Sequence, residues 1–174
     1  MSYDNNCTNC PYNNQAHLVS PAHITKRANP PIELEDHNSD VLLVFQAPGD
    51  IEWSAGLAIQ PTKKPGGTAG VRIKKSWERK KKSRSDFNII NAVQCFPGND
   101  GDRDLSPNSM AICSCSKRLK DILNAKTYQK IIAFGRIAED VVDSLVKTLK
   151  YTPNIIKGVH PNGGVTKDEL DDLW

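Results

Sequence analysis

Widely separated polar side chains give this sequence its chemical character. Asp50 and Glu52 supply carboxylates, Gln46, Asn91 and Asn99 supply amides, and His160 supplies an imidazole. An amide presents a donor and an acceptor together, which suits the edge of a heterocycle. The chain has no Walker-type phosphate loop, no HExxH pair and no serine–histidine–aspartate set. The polar residues therefore fit hydrogen bonding to a heterocycle better than acyl or phosphoryl transfer. Gln46 to Glu52 includes a tight corner, Ala47-Pro48-Gly49, directly after the apolar run Val41-Leu42-Leu43-Val44-Phe45. Open α/β sheets bind ligands in loops at the carboxyl ends of buried strands, so this corner is a site candidate.

Five cysteines form a second constellation. Cys7 and Cys10 make a Cys-x-x-Cys pair, and Cys95, Cys113 and Cys115 follow much later. The polar N-terminus shows no signal peptide, so the expected compartment is the cytoplasm, where such a pair points to metal or redox chemistry. A thioredoxin-type pair belongs at the start of a helix after a strand, and the Pro/Asn-rich opening segment offers no strand. Two thiolates from here and two from distant positions make a four-sulfur site, suited to an iron–sulfur cluster or to structural zinc. On one helix Cys113 and Cys115 lie about 200° apart around the axis, so one centre takes one of them and leaves the other as a spare thiol.

The formal net charge is only +3, but Lys74, Lys75, Arg79, Lys80, Lys81, Lys82 and Arg84 crowd one stretch against a single Glu78. Such density favours a polyanionic partner, because each phosphate contacted releases counterions. No apolar run approaches the length of a membrane span. The expectation is one soluble domain over 1–174, cytoplasmic and monomeric.

These groups need elements to position them. Val41–Phe45 is too short for a helix and apolar throughout, which predicts a strand covered on both faces. FNIINAVQC (87–95), KIIAFG and NIIKGVH read as further strands. Pro107 suits the first turn of a helix with Ser106 as its N-cap, and Ile137, Val141, Val142, Leu145 and Leu149 form a helical stripe over 136–149. Strands alternating with helices imply right-handed βαβ units, whose loop ends gather along one edge. Residues 54–86, rich in Gly, Pro and Lys, read as an excursion from that edge, most basic at about 60–86.

The order of these pieces resembles a known family. Cys-x-x-Cys, then QAPGDIE, GTAG at 67–70, NAVQCFPGN at 91–99, AIC at 111–113, IIAFGRIAEDVV at 131–142 and VHPN at 159–162 look like the family 4, iron–sulfur uracil-DNA glycosylases. The resemblance implies a three-layer αβα sandwich with a central, mostly parallel four-stranded sheet. It implies a 4Fe-4S cluster on Cys7, Cys10, Cys95 and Cys113, with Cys115 left over. It places Gln46, Ala47, Pro48, Gly49 and Asp50 beside a flipped nucleotide, Asn91 on the edge of uracil, and His160 against charge growing on the uracil O2. Glu52 and Asn99 match polar positions that position water or steady the sugar cation. The implied reaction is base flipping from single- or double-stranded DNA and hydrolysis of the N-glycosidic bond.

The chain also departs from the pattern. Phe45-Gln46 replaces the family's Gly-Glu, and Ile59 stands where the family carries a phenylalanine that stacks on uracil. An insert, PTKKPG, precedes GTAG, and Cys95-Phe96-Pro97 replaces Cys-Arg-Pro. No histidine lies between Asn99 and Ser106, which disfavours the covalent trapping of a related branch. Two alternatives follow: a DNA-binding protein on the same scaffold with weak or no cleavage, and a small zinc protein that binds nucleic acid.

Overall fold

The computed structural model describes residues 10–12, 29–61, 69–101 and 103–174. Val41–Phe45 forms β1, Asn88–Asn91 β2, Lys130–Phe134 β5 and Asn154–Gly158 β6, in the order β2-β1-β5-β6 with every pairing parallel. Asn99–Asp100 (β3) and Arg103–Asp104 (β4) make a small antiparallel hairpin within the polar loop expected there. The helices are α1 (Asp50–Ala55), α2 (Ala69–Arg79), α3 (Ser109–Ala125), α4 (Arg136–Val146) and α5 (Lys167–Asp171).

Strand side chains alternate between faces. Leu43, Phe45, Ile89, Ile132 and Phe134 pack with Ile73 and Trp77 of α2 and Leu170 of α5. Leu42, Val44, Ile90, Ile131 and Ala133 pack with Leu119 and Leu123 of α3 and Val141, Val142 and Leu145 of α4. Both faces are thus covered, which is why the strands read as unbroken apolar runs, and the expected three-layer α/β architecture is present.

Three elements differ from expectation. The stretch read as an excursion contains α2, whose Ala69, Ile73 and Trp77 enter the core at helical spacing. The N-cap of α3 is Asn108 rather than Ser106: its side chain accepts the Met110 N–H at 2.8 Å, satisfying a first-turn donor and leaving Pro107 outside the helix. The second strand stops at Asn91, after which Ala92 and Val93 donate their N–H groups to the Phe45 and Gln46 carbonyls at 2.7 and 2.9 Å and the chain leaves the sheet.

Register places Asn91, Phe45, Phe134 and Gly158 in one row across the carboxyl edge. Phe45 and Phe134 stack with centroids 4.6 Å apart. Gly158 lies against the same Phe134 ring, and a Cβ there would stand 3.1 Å from two ring carbons and 3.4 Å from Leu173 Cδ1. A stacked ring has little room to retreat, so Gly158→Ala is expected to cost about 1–3 kcal/mol by overpacking, read as a lower denaturant midpoint at unchanged slope.

Candidate active site

The site begins where β1 ends. Gly49 is the extended N-cap of α1, and a Cβ on it would stand 2.8 Å from Glu52 Oε2 and 3.1 Å from Asp104 Oδ2. Only a bare Cα lets both carboxylates close over the corner. Glu52 is propped from behind by the Gln60 N–H, 3.2 Å from Oε1. The β3–β4 hairpin carries Asn99 and Asp104 to the same place, and the loop after β6 brings His160 and Asn162.

Together they line a cavity of about 360 Å³, walled on its apolar side by Phe45, Ala58 and Ile59. Of the residues singled out in the sequence, Ala47, Gly49, Asp50, Glu52, Ile59, Asn99 and His160 line it, whereas Gln46, Pro48 and Asn91 do not. Asn91 is fully buried and donates its Nδ2–H to the Ala58 carbonyl at 3.1 Å. Its Oδ1 has no partner among the described residues. Asn99 Oδ1 is likewise buried without a partner among the described residues, while the residue itself lines the cavity.

The electrostatics divide the cavity chemically. Burial, then hydrogen bonds from nearby backbone acting in opposition, then the Asp104 charge, leave the Glu52 carboxyl above its ordinary range. Burial pushes the His160 imidazole below its ordinary value, so it is neutral at neutral pH. The Asn162 N–H reaches His160 Nδ1 at 3.3 Å; an accepting Nδ1 in a neutral ring assigns the proton to Nε2, a donor for a ligand oxygen. Arg72 of α2 fixes this loop by donating Nη1–H to the Pro161 carbonyl and Nη2–H to the Val165 carbonyl. Asp104, Asn162 and Arg72 escaped the sequence reading. Asn162 stood inside the quoted VHPN; Asp104 and Arg72 depend on a hairpin and a helix whose phases no motif marks.

Residues 31–173 match the model of the uracil DNA glycosylase superfamily. The chain belongs to that superfamily. No curated protein matches it. Membership makes DNA the partner of this glycosylase-superfamily protein and cleavage of an N-glycosyl bond its class of reaction.

The glycosylase-superfamily domain carries three buried cysteines beside the cavity-bearing corner. Cys10, Cys95 and Cys115 are buried in one cluster with Tyr12, Trp53, Val93, Phe96 and Ala111. Cys7 lies outside the described residues. Cys113, expected as a ligand, is exposed, and Cys115, expected to be spare, faces the cluster. The reason is helix phase: Ala111, Cys115, Leu119 and Leu123 succeed one another at four-residue steps on the buried side of α3, while Cys113 shares the outer side with Lys117 and Lys120. Among the described residues no three His, Cys, Asp or Glu side chains meet as a metal-ion site. The indole Nε1–H of Trp53, buried in that cluster, has no acceptor among them.

The basic stretch is also sorted by the fold. Arg79 grips Asp171 with two hydrogen bonds, of 2.7 and 2.5 Å, and holds that carboxyl down at about 2. Arg84 grips Glu35 in the same way, at 2.7 and 2.6 Å. These two, expected to touch DNA, instead tie elements together. Lys74 and Lys80 stand 3.9 Å from Glu78 and Asp172 in exposed pairs, which are worth little in water. Lys75, Lys81 and Lys82 have no ion pair among the described residues.

Two outcomes follow for variants of this site. A carboxyl whose folded value lies above its unfolded one destabilises the fold at pH above both values and costs nothing below both; Glu52→Gln is therefore expected to raise Tm at pH 7 and leave it unchanged below pH 4, in paired thermal melts. Arg72→Ala removes two charge-assisted hydrogen bonds, worth roughly 1.5–3 kcal/mol each at most, and is expected to lower kcat more than it raises KM because it frees the His160 loop.

Proposed function

We propose that this protein is a uracil-DNA glycosylase of the iron–sulfur type. One observation carries the catalytic reading: a neutral imidazole with a donor at Nε2 and two close carboxylates, Glu52 and Asp104, line the same cavity. Breaking a glycosidic bond leaves the electron pair on the base and positive charge on the sugar. His160 Nε2–H meets the negative charge growing on a base carbonyl. The carboxylates meet the cation and take the proton of the water whose oxygen bonds to the anomeric carbon, with Asn99 lining the same cavity. Flipping supplies the base to the cavity, and Phe45 brings an aromatic ring to a wall where Ile59 lacks one.

The second reading, a binder of uracil-containing DNA that cleaves poorly, is favoured by Asn91, whose amide is turned to Ala58 instead of the cavity. Single-turnover excision with enzyme in excess over a uracil-containing oligonucleotide separates the two. The expected result is an abasic product, with His160→Ala slowing excision by about 10²–10³, the usual effect of removing such a donor. Tight binding with no product supports the second reading instead.

For the cofactor, the proposed ligands are Cys7, Cys10, Cys95 and Cys115, with zinc as the alternative. Support comes from three buried cysteines drawn from distant segments into one cluster with Trp53, whose indole N–H has no acceptor among the described residues. A bound cluster supplies a structural tie between the N-terminal pair, the loop after β2 and α3. Protein purified without oxygen is expected to be brown, to lose its visible absorbance in Cys115→Ser and to keep it in Cys113→Ser. A colourless protein with stoichiometric zinc selects the alternative.

A further inference from the structure

A second cavity, of about 300 Å³, lies on the far side of Ile59, which lines both. Its floor is apolar: Ile59, Ile73 and Trp77. Its rim is cationic, with Lys74, Lys82 and Arg84 against Glu78. Arg84 is committed to Glu35, and Lys82 has no carboxylate within ion-pair distance among the described residues. Lys130, whose affinity for its proton is lowered first by burial and then by the nearby Lys82 charge, adds a second cation near Lys82. Trp77 is 4% exposed, stacked on Phe87 at 5.2 Å between centroids, and its buried indole N–H has no acceptor among the described residues. An apolar slot floored in part by an aromatic side chain, with a cationic mouth, is complementary to a planar base joined to a phosphate.

We propose that this cavity receives the base of the nucleotide next to the flipped one, with the intervening phosphate on Lys82. The inference rests on reading the first cavity as the flipped-base site. The two cavities share Ile59 in their walls, as two adjacent bases splayed from one strand would require of neighbouring pockets. The Lys-rich face of α2 then follows the backbone beyond them. Such an arrangement selects single-stranded or locally opened DNA, because the neighbouring base must also leave its stack.

The test uses single-stranded oligonucleotides with a central, uncleavable 2′-fluoro-2′-deoxyuridine. The nucleotide on each side is replaced in turn by tetrahydrofuran, which keeps the backbone and removes the base. Loss of one stacked base is expected to weaken binding by about 5-fold or more on one side only. Lys74→Phe, which fills the mouth of the cavity, is expected to erase that difference, and Lys82→Ala to reduce the salt slope by about one phosphate contact. Equal losses on both sides, no loss on either, or a one-sided loss that persists in full in Lys74→Phe overturns the proposal. A central thymidine in place of uridine reads the first cavity separately: indifference to it strikes the uracil reading, while the flanking comparison still reports on the second cavity.

Discussion

The whole arrangement depends on one row of residues at the edge of the sheet. Asn91, Phe45, Phe134 and Gly158 stand level because β2, β1, β5 and β6 run parallel in register. The Phe134 ring lies between the Phe45 ring and the bare Cα of Gly158, so the strands end on a close fit. The groups of the candidate site leave from that row within a few residues: Ala47 and Gly49 after Phe45, His160 after Gly158. A parallel sheet gathers its loop ends on one edge by topology, and the packed row makes the gathering accurate.

Charge is partitioned around that edge. The cavity itself concentrates carboxylates, which suits a positive transition state and is hostile to a phosphate backbone. Positive charge is placed beside it instead, on the outer face of α2 and the turn that follows. Within the basic stretch the arginines and lysines have separate tasks. Arg79 and Arg84 use their planar forks to lock α2 to α5 and the following turn to the segment before β1. Lysines, compact and flexible, remain at the surface where a moving backbone can be met. Arg72 serves a third purpose by tying α2 to the His160 loop, so the helix that carries part of the basic stretch also steadies the imidazole.

The strands were legible in the sequence because burial on both faces leaves continuous apolar runs, and α4 was legible because its stripe lies on one side. Helix α2 was hidden by its own surface: Ala69, Ile73 and Trp77 are spaced for a core face, but the lysines and arginines between them dominate the composition. The corner and His160 were legible as motifs, and their convergence followed from alternating strands and helices. Asp104 was not, since only the two-residue pairing of β3 with β4 turns it towards Gly49. Cys113 and Cys115 were expected on different sides of one helix, and they are; that Cys115 is the buried one and Cys113 the exposed one depends on which face of α3 meets the sheet.

By itself, then, the sequence determined the parallel α/β class, the strand-end corner and the polar residue types of the site, for these follow from local pattern and short-range sterics. Only the tertiary structure decided that Cys115 faces inward, that Asn91 is spent on Ala58, that Asp104 joins Glu52, and that Arg79 and Arg84 are bound internally. Each of those outcomes depends on distances between segments far apart in the chain, and no local pattern of residues encodes such a distance.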